Sequence, residues 1–261
     1  MIIWDVSPDI FSIGPITIRW YGLFFALSFV IGYQIMLVIF SKEHKSEQDL
    51  NDLVWYMILG TVIGARLGHC LFYNPSFYLS HPIEILEIWK GGLASHGAAI
   101  GILTALYLYV RKRKEITFLW IIDRVVITVA LSGFFIRMGN LFNSEIIGKP
   151  TNANWGFVFV SVDNIPRHPA QLYEAIAYLL IFIFLFSFYF RVKGKFKNGL
   201  LFGLFLVLIF AFRFFVEFLK EDQSPFEHGM VLNMGQLLSI PFVLLGIYLL
   251  FRKDKKVIKI Q

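Results

Sequence analysis

The sequence predicts an all-α polytopic membrane protein with seven transmembrane helices and a small periplasmic element. The first observation is composition: of 261 residues, 57% are hydrophobic and 16% are charged, and the mean hydropathy is +0.67. Soluble globular domains are much less apolar than this. The second observation is that the chain divides into apolar segments of about 20 residues, the length that crosses roughly 30 Å of hydrocarbon. The third is that most lysines and arginines fall in alternate loops.

Seven apolar segments lie between charged or turn-rich stretches and are long enough to be predicted as spans. In chain order they are residues 16–40, 53–72, 93–110, 118–136, 172–190, 199–219 and 236–251.

The basic residues predict the orientation of these spans. The loops "SKEHKSEQDL", "RKRKEIT" and "RVKGKFKN" and the tail "FRKDKKVIK" share one side and hold 15 of the 24 lysines and arginines. By the positive-inside rule this side is cytoplasmic, so the N-terminus is expected outside and the C-terminus inside. The formal charge of +6 thus reflects topology, and no nucleic-acid partner is predicted. The first span has neither a preceding basic region nor a following small-residue cleavage site, so we expect it to be retained.

The whole chain, 1–261, is predicted to form a single integral membrane domain that includes a periplasmic segment at 139–171. Within that segment, "WGFVFVSV" has the β-branched and aromatic composition of a strand and predicts a small β element. Interfacial anchoring of Trp155 is an equal alternative.

Three arginines occupy a similar predicted depth in the membrane. Arg66, Arg137 and Arg213 lie thirteen to fifteen residues from the cytoplasmic ends of their spans, which is about 20 Å at 1.5 Å per residue. Burying a guanidinium costs a few kcal/mol on insertion scales, so three at one level suggest a shared anion. Phosphate fits best, because the planar guanidinium binds it bidentately.

Structural alternatives exist for the individual polar residues. Arg213 and Glu217 are four residues apart and can simply pair with each other. Tyr21, in "IRWYG", can belong to an aromatic belt. His96, in "GGLASHGAAIG", can hydrogen-bond a backbone carbonyl group.

The stretch "RMGNLFNSEIIG" ends the fourth predicted span with polar residues rather than with lysines. Arg137 can hold an anion, Asn140 and Asn143 offer uncharged donors, and Glu145 can orient the arginine. Gly148 allows a turn or a close approach of the backbone to a ligand. The structural alternative is a helix C-terminal cap at Gly139 followed by an asparagine-rich turn.

The segments "IRWYGL", "GARLGHCLFY", "GGLASHGAAIG", "RMGNLFNSEIIG", "RHPAQLYEA", "FRFFVEF" and "MGQLLSIP" resemble, in order and spacing, those of bacterial prolipoprotein diacylglyceryl transferases. The resemblance spans most of the chain. It implies a seven-span inner-membrane enzyme with a periplasmic N-terminus. The implied partners are phosphatidylglycerol, the membrane bilayer and prolipoprotein signal peptides carrying a lipobox cysteine. The implied reaction moves the diacylglyceryl group to that cysteine's sulfur and releases glycerol 1-phosphate.

This chemistry suggests roles for the candidate residues. Arg137 and Arg213 are predicted to stabilise charge on the departing phosphate. His96 is predicted to help deprotonate the cysteine, because its unperturbed pKa near 6.5 suits a base. Glu145, Glu217 or a phosphate oxygen are alternatives as base. The predicted site therefore has catalytic residues His96, Arg137 and Arg213, and substrate-binding residues Tyr21, Arg66, Asn140, Asn143, Glu145, Gly148 and Glu217.

No cofactor is predicted, and the six histidines show no metal-binding spacing. By resemblance, supporting residues at the site or its periplasmic mouth are Arg167, His168, Gln171, Tyr173 and Glu174. Two positions depart from the family pattern. Ile209 stands where many members have tyrosine, and Lys220 stands where many have arginine.

Two other functions use the same arginines. A glycerol-phosphate acyltransferase would act on the cytoplasmic side, which the depth of the arginines disfavours. An anionic-lipid transporter or flippase would use them as a binding site, but the chain shows no internal repeat.

Overall fold

The computed structural model describes residues 1–14, 16–222 and 227–253 and contains eight α-helices and five short strands within them. In chain order these are β1 (Ile2–Trp4), β2 (Asp9–Ile13), β3 (Ile16–Arg19), α1 (Trp20–Lys42), α2 (Glu47–Phe72), α3 (Pro75–Ser80), α4 (Ser95–Arg111), α5 (Phe118–Phe142), β4 (Phe157–Phe159), β5 (Pro166–Arg167), α6 (Ala170–Arg191), α7 (Leu200–Val216) and α8 (Met234–Phe251).

Within the described residues, six helices are long and apolar enough to cross a membrane, judged by length and composition. This agrees with an all-α polytopic membrane protein. The helix at the third predicted span, α4, has 17 residues and falls short of the 18 taken as the minimum. The number of seven spans therefore stays a prediction.

Three predicted boundaries were wrong in ways that matter for the site. The first span was predicted from residue 16, but residues 16–19 form β3 and α1 begins at Trp20. The second was predicted from residue 53, whereas α2 begins at Glu47, where Ser46 caps the helix by accepting a hydrogen bond from the Asp49 N–H. The fourth was predicted to end at residue 136, yet α5 continues to Phe142. Arg137 therefore lies within a helix, and Gly139 is not its cap.

The described chain divides into two compact units, residues 36–122 and residues 1–35 with 123–261. In the unit 36–122, glycines bring α2 and α4 into backbone contact. A Cβ on Gly64 would lie 2.4 Å from the Gly97 carbonyl oxygen, and one on Gly101 would lie 2.0 Å from that of Gly60. Small residues at helix contacts permit this approach in membrane proteins.

Replacing Gly101 with alanine should therefore separate α2 from α4 and lower thermal stability. Over-packing of this kind costs about 1–3 kcal/mol. The measurement is thermal unfolding of the purified protein in detergent. Gly22→Ala is the matched control, because an added Cβ there meets nothing within 4 Å. Equal melting temperatures for the two variants would show that the contact does not stabilise the unit.

In the other unit, a small sheet forms at the segment predicted to contain a β element. β4 pairs with β1 in parallel and with β5 in antiparallel orientation. Phe157 and Phe159 pack with Leu141 at the end of α5, and the Trp4 Nε1–H donates to the Leu141 carbonyl oxygen at 3.1 Å. The sheet thus attaches β1 to the end of α5, next to the polar stretch that follows.

Polar contacts also fix the start of α7. The carboxylate of Asp123 on α5 accepts hydrogen bonds from the backbone N–H groups of Gly199 at 2.6 Å and Phe202 at 2.8 Å. Such an arrangement satisfies donors that a helix N-terminus leaves unpaired and places a negative charge at the positive end of the helix dipole. α7 then packs closely on α8, where Gly203 faces Gly246.

Candidate functional site

The site is built around the carboxylate of Glu174, which is fully buried on α6. One oxygen, Oε2, lies 3.0 Å from Arg137 Nε and 3.0 Å from Lys220 Nζ. The other, Oε1, accepts a hydrogen bond of 3.1 Å from the Tyr178 hydroxyl group. Glu174 and Tyr178 are four residues apart, so they share one face of α6. A buried charge of this kind needs such partners to offset its desolvation.

A second buried carboxylate, Glu217, continues the arrangement. Its Oε1 lies 3.0 Å from Lys220 Nζ and 3.4 Å from Arg213 Nε, and its Oε2 accepts from Asn233 Nδ2 at 3.1 Å. A Cβ on Gly235 would lie 2.5 Å from the Glu217 carboxylate carbon, so only glycine leaves room for this carboxylate. The pairing of Arg213 with Glu217 expected as a structural alternative is therefore present. We call Arg137, Glu174, Arg213, Glu217 and Lys220 the ion-pair cluster.

The ion-pair cluster carries an excess of one positive charge, because three cations face two carboxylates. Its members differ in exposure: the side chain of Lys220 is 1% exposed, that of Arg137 11% and that of Arg213 37%. Among the described residues, only the Glu217 carboxylate contacts the Arg213 guanidinium through a polar atom. Arg213 can therefore bind an additional anion without giving up a buried partner.

A chain of side-chain amides extends from Arg137 towards Glu145. Arg137 Nη1 donates to Asn140 Oδ1 at 3.3 Å, and Asn140 Nδ2 donates to Glu145 Oε1 at 2.8 Å. Asn143 Nδ2 lies 3.4 Å from the same oxygen. Because α5 runs on to Phe142, Arg137 and Asn140 lie on one face of the helix. The structure thus joins four of the predicted site residues in one network.

The backbone turn after α5 is unusually constrained. Ser144 and Ile146 have φ angles of 53° and 57°, a left-handed conformation that is rare for a β-branched residue. The buried Gln171 donates from Nε2 to the Glu145 carbonyl oxygen at 2.6 Å. Gly148 then passes so close to His168 that an added Cβ would lie 2.4 Å from its carbonyl oxygen. Glycine at 148 is therefore required by packing. The residue forms a β-bridge with Lys220 rather than the turn anticipated from the sequence.

Tyr21 packs against the same region. A Cβ on Gly139 would lie 2.7 Å from Tyr21 Cδ2, so the ring of Tyr21 rests on this glycine. This contact replaces the helix-cap interpretation of Gly139. Gly139 directly precedes Asn140, so Tyr21 lies beside the turn of α5 that carries the amide chain.

Arg66 and His96 belong to the unit 36–122. Arg66 is buried and donates from Nε to the Ile85 carbonyl oxygen at 2.9 Å and from Nη1 to that of Gly91 at 2.6 Å. It therefore closes the segment before α4 onto α2, a structural role that its position in the sequence did not reveal. His96 is exposed in the first turn of α4, where its ring lies 5.3 Å from Phe72 and 5.8 Å from Tyr73.

The supporting residues inferred by resemblance gather around Gly148 and the loop before α6. Arg167 Nη2 lies 2.6 Å from Asp163, and Arg167 Nη1 lies 2.6 Å from Glu221 and 3.3 Å from the Gly148 carbonyl oxygen. Hydrogen bonding to Arg167 lowers the pKa of Asp163. Nearby, the Tyr173 hydroxyl group accepts from Trp155 Nε1 at 3.0 Å. His168 Nδ1 lies 3.2 Å from the same hydroxyl group.

Sequence reasoning did not anticipate the central roles of Lys220 and Tyr178. Lys220 was noted only as a replacement for arginine, yet its ammonium group bridges Glu174 and Glu217. Tyr178 was not singled out, although its spacing from Glu174 was a usable signal. Its hydroxyl group supplies a phenol within the cluster. Position 209, where many family members have tyrosine, carries a buried isoleucine.

Comparison with known proteins gives a match over nearly the full chain. The family described as prolipoprotein diacylglyceryl transferase matches residues 8–252. A phosphatidylglycerol–prolipoprotein diacylglyceryl transferase of Chloroherpeton thalassium is 54% identical, covering 98% of this chain and 95% of the relative. Proteins of the same name from Tolumonas auensis and Bacteroides fragilis are 49% and 46% identical, covering 98% and 97% of this chain and 99% and 95% of the relatives.

Proposed function

The chain belongs to the prolipoprotein diacylglyceryl transferase family, and we propose that its ion-pair cluster binds the phosphate of phosphatidylglycerol during the transfer reaction. The protein is an enzyme that transfers the diacylglyceryl group of phosphatidylglycerol to a prolipoprotein. In the proposed reaction the acceptor is the sulfhydryl group of the lipobox cysteine. The products are a thioether and glycerol 1-phosphate.

The observation that carries this proposal is the excess positive charge of the cluster, together with the partial exposure of Arg213, whose side chain is 37% exposed. The phosphodiester of phosphatidylglycerol bears one negative charge, which would balance the cluster. Arg213 offers a planar set of donors to the phosphate oxygens. The proposal thus explains why two buried carboxylates are accompanied by three cations.

Arg137 would contribute in a different way. Its Nε is held by Glu174 and its Nη1 by Asn140, so the guanidinium is fixed before substrate arrives. Donors that are already oriented stabilise charge developing on a leaving group without reorganising in the transition state. Lys220 contacts both carboxylates and holds them in place, so that neither rotates into the space intended for phosphate.

The location and topology of the protein are a further part of this proposal. We propose a bacterial inner-membrane location, with seven spans in one membrane domain, a periplasmic N-terminus and a cytoplasmic C-terminus, supported by the placement of lysine and arginine. Both substrates are then embedded in the bilayer beside the protein. Tyr21, Asn143 and Gly148 would line the lipid-binding region.

The test uses purified protein in detergent with phosphatidylglycerol and a lipobox peptide. We expect release of glycerol phosphate that requires the peptide and disappears when its cysteine is replaced by serine. If the lipid binds but remains intact, the protein is an anionic-lipid binder or transporter instead.

Replacing Arg213 with glutamine should weaken phosphatidylglycerol binding and turnover together. Removing one donor to a charged group in a preorganised site lowers turnover by about 10²–10³-fold. KM for the lipid should rise as well, because Arg213 contacts the phosphate before reaction. Arg191→Gln is the matched control, since Arg191 is an exposed arginine in the last turn of α6. An unchanged KM and turnover in Arg213→Gln would remove this arginine from the phosphate site.

A further inference from the structure

We propose that Glu145 is the base that takes the proton from the attacking cysteine thiol. This assignment rests on the transferase reaction described above. It concerns a step for which the sequence left His96, Glu145, Glu217 and a phosphate oxygen open.

The two buried carboxylates are unsuited to receive a proton. Both oxygens of Glu174 are engaged, by Tyr178 on one side and by Arg137 and Lys220 on the other. Both oxygens of Glu217 are engaged too, by Lys220, Arg213 and Asn233. Protonating Glu174 would leave the buried Arg137 without its carboxylate, and protonating Glu217 would remove one of the two carboxylates that pair with the buried Lys220. Both changes are unfavourable. These groups therefore serve to hold the cations.

Glu145 differs from both in its contacts. Its Oε1 accepts only from the uncharged amides of Asn140 and Asn143. Its Oε2 accepts no hydrogen bond from any residue that the structure describes, and the side chain is exposed. Amides on one oxygen fix the direction of the carboxylate, while the other oxygen stays open to an incoming proton. A carboxylate held in this way has the geometry required of a general base.

The backbone that presents Glu145 supports a functional role. Its two neighbours, Ser144 and Ile146, both have positive φ angles. Non-glycine residues are held in this conformation only where their surroundings require it, and such residues concentrate at active sites. Here Gln171 secures the carbonyl group of Glu145 itself. The strained backbone therefore fixes the position of the Glu145 side chain.

The base is linked to the proposed phosphate site. Asn140 accepts from Arg137 and donates to Glu145, so one amide spaces the base from the arginine that would stabilise the leaving group. Tyr21 from α1 packs on Gly139 beside this amide, and Arg137 from α5 contacts the amide directly. Glu174 contacts Arg137 directly. Lys220 contacts Glu174, and Glu217 in turn contacts Lys220.

His96 lacks a comparable arrangement. Its ring packs against aromatic neighbours, and neither ring nitrogen is hydrogen-bonded by a residue within the described ranges. A histidine acting as a base is usually oriented by a partner on its second nitrogen.

The thiol proton passes to Oε2 of Glu145 while the sulfur forms a bond to the diacylglyceryl CH₂ carbon. The bond between that carbon and the phosphate oxygen breaks, and its electron pair leaves with glycerol 1-phosphate. Glu145 then returns the proton to water or to the departing phosphate.

The experiment compares Glu145→Gln with His96→Gln on two lipobox peptides, one with cysteine and one with selenocysteine. A selenol is already ionised at neutral pH and needs no base. With cysteine at pH 7, Glu145→Gln should lose about 10²–10⁴-fold in turnover. The selenocysteine peptide should restore most of this loss. Raising the pH towards about 8.5, where a free thiol ionises, should also restore activity with cysteine.

His96→Gln should show no preferential rescue by the selenol. Glu115→Gln, which removes an exposed carboxylate from the loop after α4, is the control and should behave as the unaltered enzyme. Lipid binding, measured separately, should be unchanged in Glu145→Gln.

The assignment is overturned if Glu145→Gln turns over the cysteine peptide normally, or loses equal activity on both peptides. Selenol-specific rescue of His96→Gln alone would transfer the role to His96. If the unaltered enzyme releases no glycerol phosphate, the proposed reaction itself fails. If the unaltered enzyme releases glycerol phosphate normally and Glu145→Gln gives one of the contradicting results above, only the base assignment fails.

Discussion

Replacing Arg137 with alanine is expected to abolish cysteine-dependent release of glycerol phosphate. Removing a fixed donor to the leaving group alone costs about 10²–10³-fold in turnover. The change also leaves Glu174 with Lys220 as its remaining cation and frees Asn140 from its contact with the arginine. Breaking a buried ion pair destabilises a protein by about 3–5 kcal/mol when one partner is left unpaired, and Lys220 should reduce this loss. Turnover and thermal unfolding should be measured on the same preparation.

Arg137→Lys separates these two contributions. Lysine keeps a positive charge near Glu174 and should recover most of the stability, but it lacks the planar fork that binds phosphate and contacts Asn140 together. We therefore expect a folded protein with little activity. Full activity in Arg137→Lys would mean that only charge matters at this position and would contradict the proposed phosphate geometry.

Replacing Gly148 with alanine should be nearly as damaging, although the change adds only one methyl group. The added carbon would lie 2.4 Å from the His168 carbonyl oxygen and 2.8 Å from that of Leu219. Both are backbone atoms held by hydrogen bonds from Gly148 and Lys149, so they cannot move aside separately. Over-packing costs about 1–3 kcal/mol, and here the strain falls on the turn that carries Glu145. Activity should therefore fall further than thermal stability.

Gly32→Ala provides the matched control for this change. A Cβ at Gly32 meets Thr128 at 3.6 Å, an ordinary contact, so both activity and melting temperature should be retained. If Gly148→Ala retained its activity, the turn would have to tolerate displacement, which would weaken the proposed role of Glu145.

The sequence was sufficient to predict the membrane class, the helical architecture and a β element near "WGFVFVSV", because these depend on the composition of continuous segments. It was also sufficient to select Arg137, Asn140, Asn143 and Glu145, which lie within nine residues of one another. Helix boundaries were less predictable. α5 continues through Gly139, and Tyr21, more than a hundred residues away in sequence, packs on that glycine.

Sequence reasoning did not predict how the buried charges pair. Arg66, Arg137 and Arg213 were predicted to share an anion because their depths are similar. In the structure, backbone carbonyl groups satisfy Arg66, a carboxylate of α6 holds Arg137, and Arg213 pairs with Glu217 while its side chain stays partly exposed. The partners of each arginine come from other elements, and helical depth carries no information about these.

The sequence by itself determined that this chain enters a membrane and carries the polar residues of a diacylglyceryl transferase. Apolar length and local spacing are properties of the chain, so they can be read without coordinates. Only the tertiary structure decided that Lys220 bridges Glu174 and Glu217 and that Glu145 keeps an open oxygen. These properties arise where α5, α6 and the end of α7 meet, because a buried charge is defined by partners that lie far apart in sequence.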